Sequence, residues 1–399
     1  MPVRPASFTD RAALPVTLLM QAAASAAVVA PPVAASALPA ARSAGPLAVG
    51  LYVAIVYIAA MVSSQWGVAL VRRWGPIRTS QASLLCCAAG VALLAAPSPL
   101  VALAGAALLG LGYGPVTPAS SEMLARTTPP HRYALVFSLK QTGVPLGGAL
   151  AGALVPVVLT RAGAGWALGQ IAALCVLGAV LAVPLRAALD TLREPAASWP
   201  TLRGALVPIR FVLERPALRR IALCTLVLSG VQVSLTSYLV AYLHQDLLWS
   251  LVAAGLGLTV AQVAGMAGRV AWGLAADRIG DGSRRTLRGL ACAMAVCGLA
   301  LPLLTPGVPP AAILVLLAVY GGTAVGWNGV YLASVARAVP RAEAAMATGG
   351  SMAFTYLGVV LAPPVFGAVA QATGRVGPAY ALLALPLALV LFWLRPPRG

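Results

Sequence analysis

Polar residues in this chain come in short clusters, and long apolar stretches run between them. Runs over 12–38, 46–71, 79–97, 100–123, 133–159, 165–187, 219–243, 248–274, 287–304, 310–334, 344–369 and 377–394 are each long enough to cross roughly 30 Å of hydrocarbon as a helix. The pattern predicts an all-α membrane protein with twelve transmembrane helices. Gly and Pro mark their ends, as at Pro97-Ser98-Pro99 and between Pro306 and Pro310, which suits tight reversals. The first run follows Arg4 and Arg11 and ends near Ala35-Ser36-Ala37, but it exceeds the apolar core of a secretory leader. It is read as a span, which keeps the count even.

One segment breaks the rhythm. Around Asp190, Glu194, Arg203, Arg210 and Glu214 the chain turns charged and Pro-rich. The expected organisation is a six-helix bundle over 1–187, a cytoplasmic linker over 188–218, and a second six-helix bundle over 219–399. Within the linker, 206–218 mixes apolar residues with Arg210 and Arg215, which fits either an interfacial helix or a solvated connection.

The arginines fix an orientation. With the N-terminus inside, the inner loops and tails carry twenty-two arginines, and the outer loops carry only Arg42, Arg161 and Arg375. That bias places both termini in the cytoplasm. Arg in place of Lys, with abundant Ala, suggests a GC-rich bacterial genome and hence an inner membrane. Composition narrows function too: the chain is 60% hydrophobic, 9% charged and has a mean hydropathy of +0.91. A net charge of +18 spread over short loops gives no phosphate-binding surface, so nucleic acid is not an expected partner. The six cysteines lie in apolar runs without CxxC or a nearby His, and His131 and His244 fall at opposite membrane faces. Neither a metal, a cofactor nor catalysis is expected.

The halves repeat. Leu124-Ala125-Arg126 followed by Pro129 matches Val335-Ala336-Arg337 followed by Pro340, and the same offset carries Gly147 onto Gly358. A second offset sets Gly75 against Gly280 and Ser64 against Arg269. Two bundles related by a pseudo-two-fold axis place a transport site between them, near mid-membrane.

The segment Gly273-Leu-Ala-Ala-Asp277-Arg278-Ile-Gly280, followed by Arg284 and Arg285, is similar to the signature of the major facilitator superfamily between its eighth and ninth spans. With twelve spans and a central linker, the whole chain resembles that superfamily. The resemblance implies alternating access and a gating role for Gly273, Asp277, Arg278 and Gly280. Physically, Asp277 is suited to accept from backbone N–H groups at a neighbouring helix N-terminus, such as the one near Ala344. The first-half version, Arg72-Arg73-Trp74-Gly75-Pro76-Ile77-Arg78, has Arg72 where the acid belongs. Arg73 and Gly75 are its gating candidates; Glu122 either pairs with one of these arginines or is a solvated end residue.

Two cations fall inside apolar runs. Lys140 is the single lysine of the chain, and Gln141 stands beside it. Arg269 precedes Gly273 and Asp277 by one and two turns on the same helix face. Intramembrane charge is a functional signal by default, although a long lysine stem also snorkels. The spacing at Arg269 also resembles monocarboxylate and oxalate/formate transporters, which implies an arginine engaging a substrate carboxylate; a guanidinium fork suits that group. All nine acids lie outside the apolar cores. The expected ligand is therefore a small organic anion, probed by Lys140, Arg269, Gln141, Gln21, Trp327, Asn328, Tyr331 and Tyr238, with protons or a counter-anion as coupling partner. Efflux of lipophilic compounds is the alternative. A monomer in the lipid bilayer is expected.

Overall fold

In a computed structural model, the described residues are 8–129, 132–191, 193, 194, 196, 198, 199, 201–278, 282–340 and 343–395. They form helices α1 (Phe8–Val33), α2 (Pro39–Trp74), α3 (Pro76–Leu93), α4 (Pro99–Thr127), α5 (Tyr133–Gln141), α6 (Gly143–Ala162), α7 (Ala164–Leu181), α8 (Arg186–Leu189) and α9 (Leu202–Glu214). The second half continues with α10 (Pro216–Gln245), α11 (Leu251–Arg278), α12 (Gly282–Ala300), α13 (Pro310–Ala324), α14 (Asn328–Arg337), α15 (Ala344–Thr373), α16 (Gly377–Leu382) and α17 (Ala384–Trp393). Among the described residues, ten helical stretches are long and apolar enough to cross a membrane, and the shorter apolar stretch Gly377–Trp393 is another. The 18-residue α3 completes the twelve.

Three spans are not single helices. The fifth breaks at Thr142, between α5 and α6; the tenth breaks at Val325, Gly326 and Trp327, between α13 and α14; the twelfth breaks at Leu383. Pro145 explains the first. It has no N–H to offer the carbonyl of Gln141 four residues back, so the ladder parts there. The second span also starts later than its helix: Gly45 has φ +66 inside α2, and Pro46 restarts the helix beyond it.

Within the first bundle α1 packs on α4, α6 and α7, and α3 lies between α4 and α7. In the second, α10 packs on α15, and α11 on α13. The repeat predicted from sequence appears as equivalent packing. Gly147 of α6 lies against the Ala22 carbonyl of α1, and Gly358 of α15 lies against the Leu226 carbonyl of α10. Each glycine lets a later helix approach the first helix of its own bundle, as small residues do in membranes.

The bundles meet along two seams, α2 against α15 and α6 against α11. The side of the molecule bearing α8 and α9 is called the linker face, and the other the far face. In their far halves both seams are close. A Cβ on Gly50 would lie 2.5 Å from the Pro363 carbonyl, and one on Gly152 would lie 2.7 Å from the Gly255 carbonyl. Thr259 donates its hydroxyl to the Ala149 carbonyl at 3.1 Å. Tyr238 donates to the carbonyls of Pro46 and Pro363, both at 3.0 Å. Toward the linker face the bundles separate around a cavity.

Candidate functional site: a cationic cavity open toward the linker face

The cavity measures about 680 Å³ and is walled by α4, α5, α11 and α14. Lys140, Gln141, Arg269, Asn328 and Arg337 all line it, along with Thr117, Ser121 and Thr142. Its wall is otherwise apolar, including Phe137, Leu139, Val270, Leu274 and Leu332. The two intramembrane cations of the sequence therefore share one space. Arg337 adds a third positive charge, and among the described residues none of those lining the cavity is acidic.

Lys140 is 2% exposed and does not snorkel. Its Nζ donates to the Thr117 carbonyl at 3.0 Å and to Ser121 Oγ at 2.6 Å, both on α4. The same carbonyl accepts from the Ser120 and Ser121 hydroxyls, so α4 offers a crowded polar step to the ammonium. The ammonium is hydrogen-bonded there by neutral groups. In a low-dielectric setting that leaves its field acting on the cavity.

Arg269 reaches across the bundle interface. Its Nη1 donates to the Gln141 carbonyl at 2.6 Å, and its Nε to the Val325 carbonyl at 3.1 Å. Both acceptors sit at helix breaks, one in each bundle. Asn328 Nδ2 also approaches the Val325 carbonyl at 3.4 Å and donates to Gln232 Oε1 at 3.2 Å. The first turn of α14, through Asn328, Gly329 and Val330, faces the cavity, so the positive end of that helix adds to the cationic field.

Toward the far face lies a second, smaller chamber of about 40 Å³ between the bundles. Ser25, Tyr57, Gln232, Thr236, Ser237 and Gln262 line it, and Gln262 donates to the Thr236 hydroxyl at 3.1 Å. It has room for water and is bounded by the close far-half seams.

The remaining candidates divide. Trp327 and Tyr331 are buried in the second bundle, their rings 5.5 Å apart, and they pack behind the cavity wall. Gln21 is buried under the start of α6, against Gly143. Tyr238 belongs to the far-half seam, where its hydroxyl joins α2 to α15. Sequence reasoning passes over Thr117, Ser121 and Arg337 as cavity residues. No local signal marks them: Pro118 frees the carbonyl of Gly114, four residues back, and not that of Thr117.

The gating candidates lie at the linker face. Gly273 lines the cavity, and a Cβ built on it meets nothing within 4 Å. Arg278 is exposed at the end of α11. Gly280 and the side chain of Asp277 lie outside the described residues. In the first half, Arg72 pairs with Glu194 of the linker, and Arg73 lies 4.5 Å over the Trp199 ring. Glu122 pairs with Arg126 at 2.7 Å, one turn along its own helix. A different acid serves the helix that follows this loop. Asp190 is buried, and its carboxylate accepts from the backbone N–H of Ile77 at 2.9 Å and of Arg78 at 3.1 Å. It caps α3 where four backbone donors are otherwise free. Gly75 joins α2 to α3 alone, at φ +91, and any Cβ there would strike this carboxylate.

The fold is shared with solved transporters. A nucleoside transporter superposes with a TM-score of 0.74 at 13% identity, covering 95% of this chain and 98% of its own. A D-xylose–proton symporter gives 0.70 at 17% identity, with 98% and 97% covered. A bacterial homolog of the human lysosomal transporter Spinster, in an inward-facing unoccupied conformation, gives 0.69 at 17%, with 98% and 95% covered. No curated protein sequence matches the chain. The sequence model of the Major Facilitator Superfamily matches residues 16–349, and the chain is a member of that superfamily.

Proposed function

We propose that this transporter moves a small organic anion, most simply a carboxylate, by alternating access of its two bundles. The observation that carries this reading is the cavity lined by Lys140, Arg269 and Arg337, with no acid among the described residues of its wall. A low-dielectric space of one sign concentrates ions of the other. The apolar wall of Phe137, Leu139, Val270 and Leu274 suits an anion with a hydrocarbon body. Charge is then balanced by a proton carried with the anion or by a counter-anion. The arginine bias supports a cytoplasmic linker face, and the Arg- and Ala-rich composition supports a bacterial inner membrane; on that reading the cavity opens inward. Lys140, Gln141, Arg269 and Asn328 form the binding set; Trp327, Tyr331 and Gln21 support it from behind, and Tyr238 closes the opposite end. The end-of-span groups, Arg73, Gly75, Glu122, Gly273, Asp277, Arg278 and Gly280, serve the gate. The apolar wall also favours a second reading, export of lipophilic compounds.

Thermal stability of the purified protein decides between them, with panels of carboxylates, inorganic anions, neutral compounds and lipophilic cations. A ligand at 100 times its Kd that binds only the folded state adds about 2.7 kcal/mol. The expected outcome is stabilisation by carboxylates that disappears in Lys140→Gln and Arg269→Gln. Stabilisation by lipophilic cations, equal in wild type and both variants, refutes the anion site and establishes the second reading.

A further inference from the structure

The linker helix α9 is docked on the second bundle by one face only, and where it is docked decides what its other faces meet. Pro208 and Val212, one turn apart, sit on Gly350 of α15: a Cβ there would strike the Pro208 carbonyl and lie 2.7 Å from Val212 Cγ2. Gly350 is buried, yet Met346, Leu357, Leu361 and Val365, which share its face of α15 at helical spacings, are all exposed. The helices that pack on α15 meet it elsewhere, α10 at Gly358 and α2 at Pro363. The exposed stripe is therefore the lipid face of that span, and α9 lies across it rather than beneath its end. From Ala344, where α15 starts, Gly350 is roughly 9 Å along the axis. Interfacial helices ride about 5–10 Å into the headgroup and acyl boundary, an offset of the same size.

The remainder of the α9 surface divides in two. At about 100° per residue, Leu206, Ile209 and Leu213 fall on one flank of the docked face, and Arg210 and Glu214 fall opposite that face. Leu206 is 60% and Leu213 44% exposed, a cost in water. Arg210 and Glu214 pair with each other at 2.7 Å on the outer ridge. Past the end of α9, Arg215 is drawn to Glu343 at 3.5 Å and over the Phe211 ring, while Arg219 and Arg220 in the first turns of α10 are exposed. From 206 to 220 the one acid is Glu214, already paired. Round its girth this helix thus offers a protein face, an apolar flank continuous with the lipid stripe of α15, and a charged ridge.

We propose that α9 is a membrane-surface helix whose Leu206–Leu213 flank is seated in the leaflet at the linker face, with Arg219 and Arg220 holding anionic phospholipid headgroups beside it. An amphipathic helix binds a bilayer by buried apolar area together with attraction to anionic lipid, and both parts are present here. Docked on Gly350, the helix sets the depth of α15 in the bilayer.

The test uses the full chain in vesicles of phosphatidylcholine, with a fluorophore on p-acetylphenylalanine at Leu213 or at Arg210, both exposed positions. Phosphatidylcholine or phosphatidylglycerol spin-labelled near the top of the acyl chain is added as quencher at equal dilution. The label at Leu213 is expected to be quenched several-fold more than the label at Arg210. Phosphatidylglycerol is expected to be the better quencher at Leu213, by roughly fivefold for each arginine near the surface, and to lose that advantage in Arg219→Gln/Arg220→Gln. Equal quenching at Leu213 and Arg210 overturns the seating of α9 in the leaflet. Quenching at Leu213 that is the same for both lipids overturns the anionic headgroup site.

Discussion

The far and linker halves of the bundle interface are made from different materials. In the far half, glycines bring backbones together, and the polar ties are neutral: Thr259 to the Ala149 carbonyl, Tyr238 to Pro46 and Pro363. In the linker half the bundles stand apart around a cavity, and the tie across it is a guanidinium on a carbonyl. Steric closure is unaffected by a solute. A charged hydrogen bond can be competed away by an ion. The far half is held by shape and neutral hydrogen bonds, the linker half by a charged one.

The comparison breaks most readily in the far half. Gly152→Val pushes a branched side chain at the Gly255 backbone, which cannot turn aside as a side chain does. Overpacking of this kind costs about 1–3 kcal/mol and is expected to lower the thermal midpoint in detergent. Tyr238→Phe removes one hydroxyl with two acceptors and is expected to cost about 1 kcal/mol, read in the same melt. In the linker half the sign differs. Lys140→Met removes a buried cation whose hydrogen bonds go to a carbonyl and a hydroxyl rather than to an acid; replacing buried charge by apolar volume is often neutral or stabilising. The unliganded protein should melt no earlier than wild type, while its response to carboxylates is lost. The smallest effect is expected from Arg337→Gln at the cavity mouth, within about 0.5 kcal/mol in the unliganded melt, with a weaker carboxylate response. A large loss of unliganded stability in Lys140→Met would show that the linker half is held by structural charge after all.

The spans are legible in the sequence because water and lipid sort the chain so strongly. Hydropathy alone places the twelve, and the repeat places Gly147 and Gly358 in equivalent packing. Which face of each span points inward is not legible. In lipid the outer face of a helix is as apolar as its packed face, so the polar stripe that orients a helix in a soluble protein is missing. Hence the sequence groups Tyr238, Trp327 and Tyr331 with Lys140, though they line no part of its cavity. The breaks at Thr142 and at Val325–Trp327 are hidden for a related reason: the polar residues beside them, Lys140, Gln141 and Asn328, are too few to end an apolar run. Pro145 is visible, but the partner of the carbonyl it frees lies more than a hundred residues away. The cap on α3 has the same character. Nothing near Gly75 announces Asp190, which reaches the start of α3 from the end of α8.

The one lysine of the chain gives the cavity a chemical address. Amine-directed reagents ordinarily scatter over a protein's surface, but here the only side-chain amine stands on the wall of the cavity between the bundles with its Nζ turned toward α4. Modification of Lys140, read by mass spectrometry, is therefore a footprint of that one compartment. Its rate follows how often the amine leaves Thr117 and Ser121 and meets water from the linker face. Occupants of the cavity become visible as protection, with no engineered residue and whatever the identity of the solute.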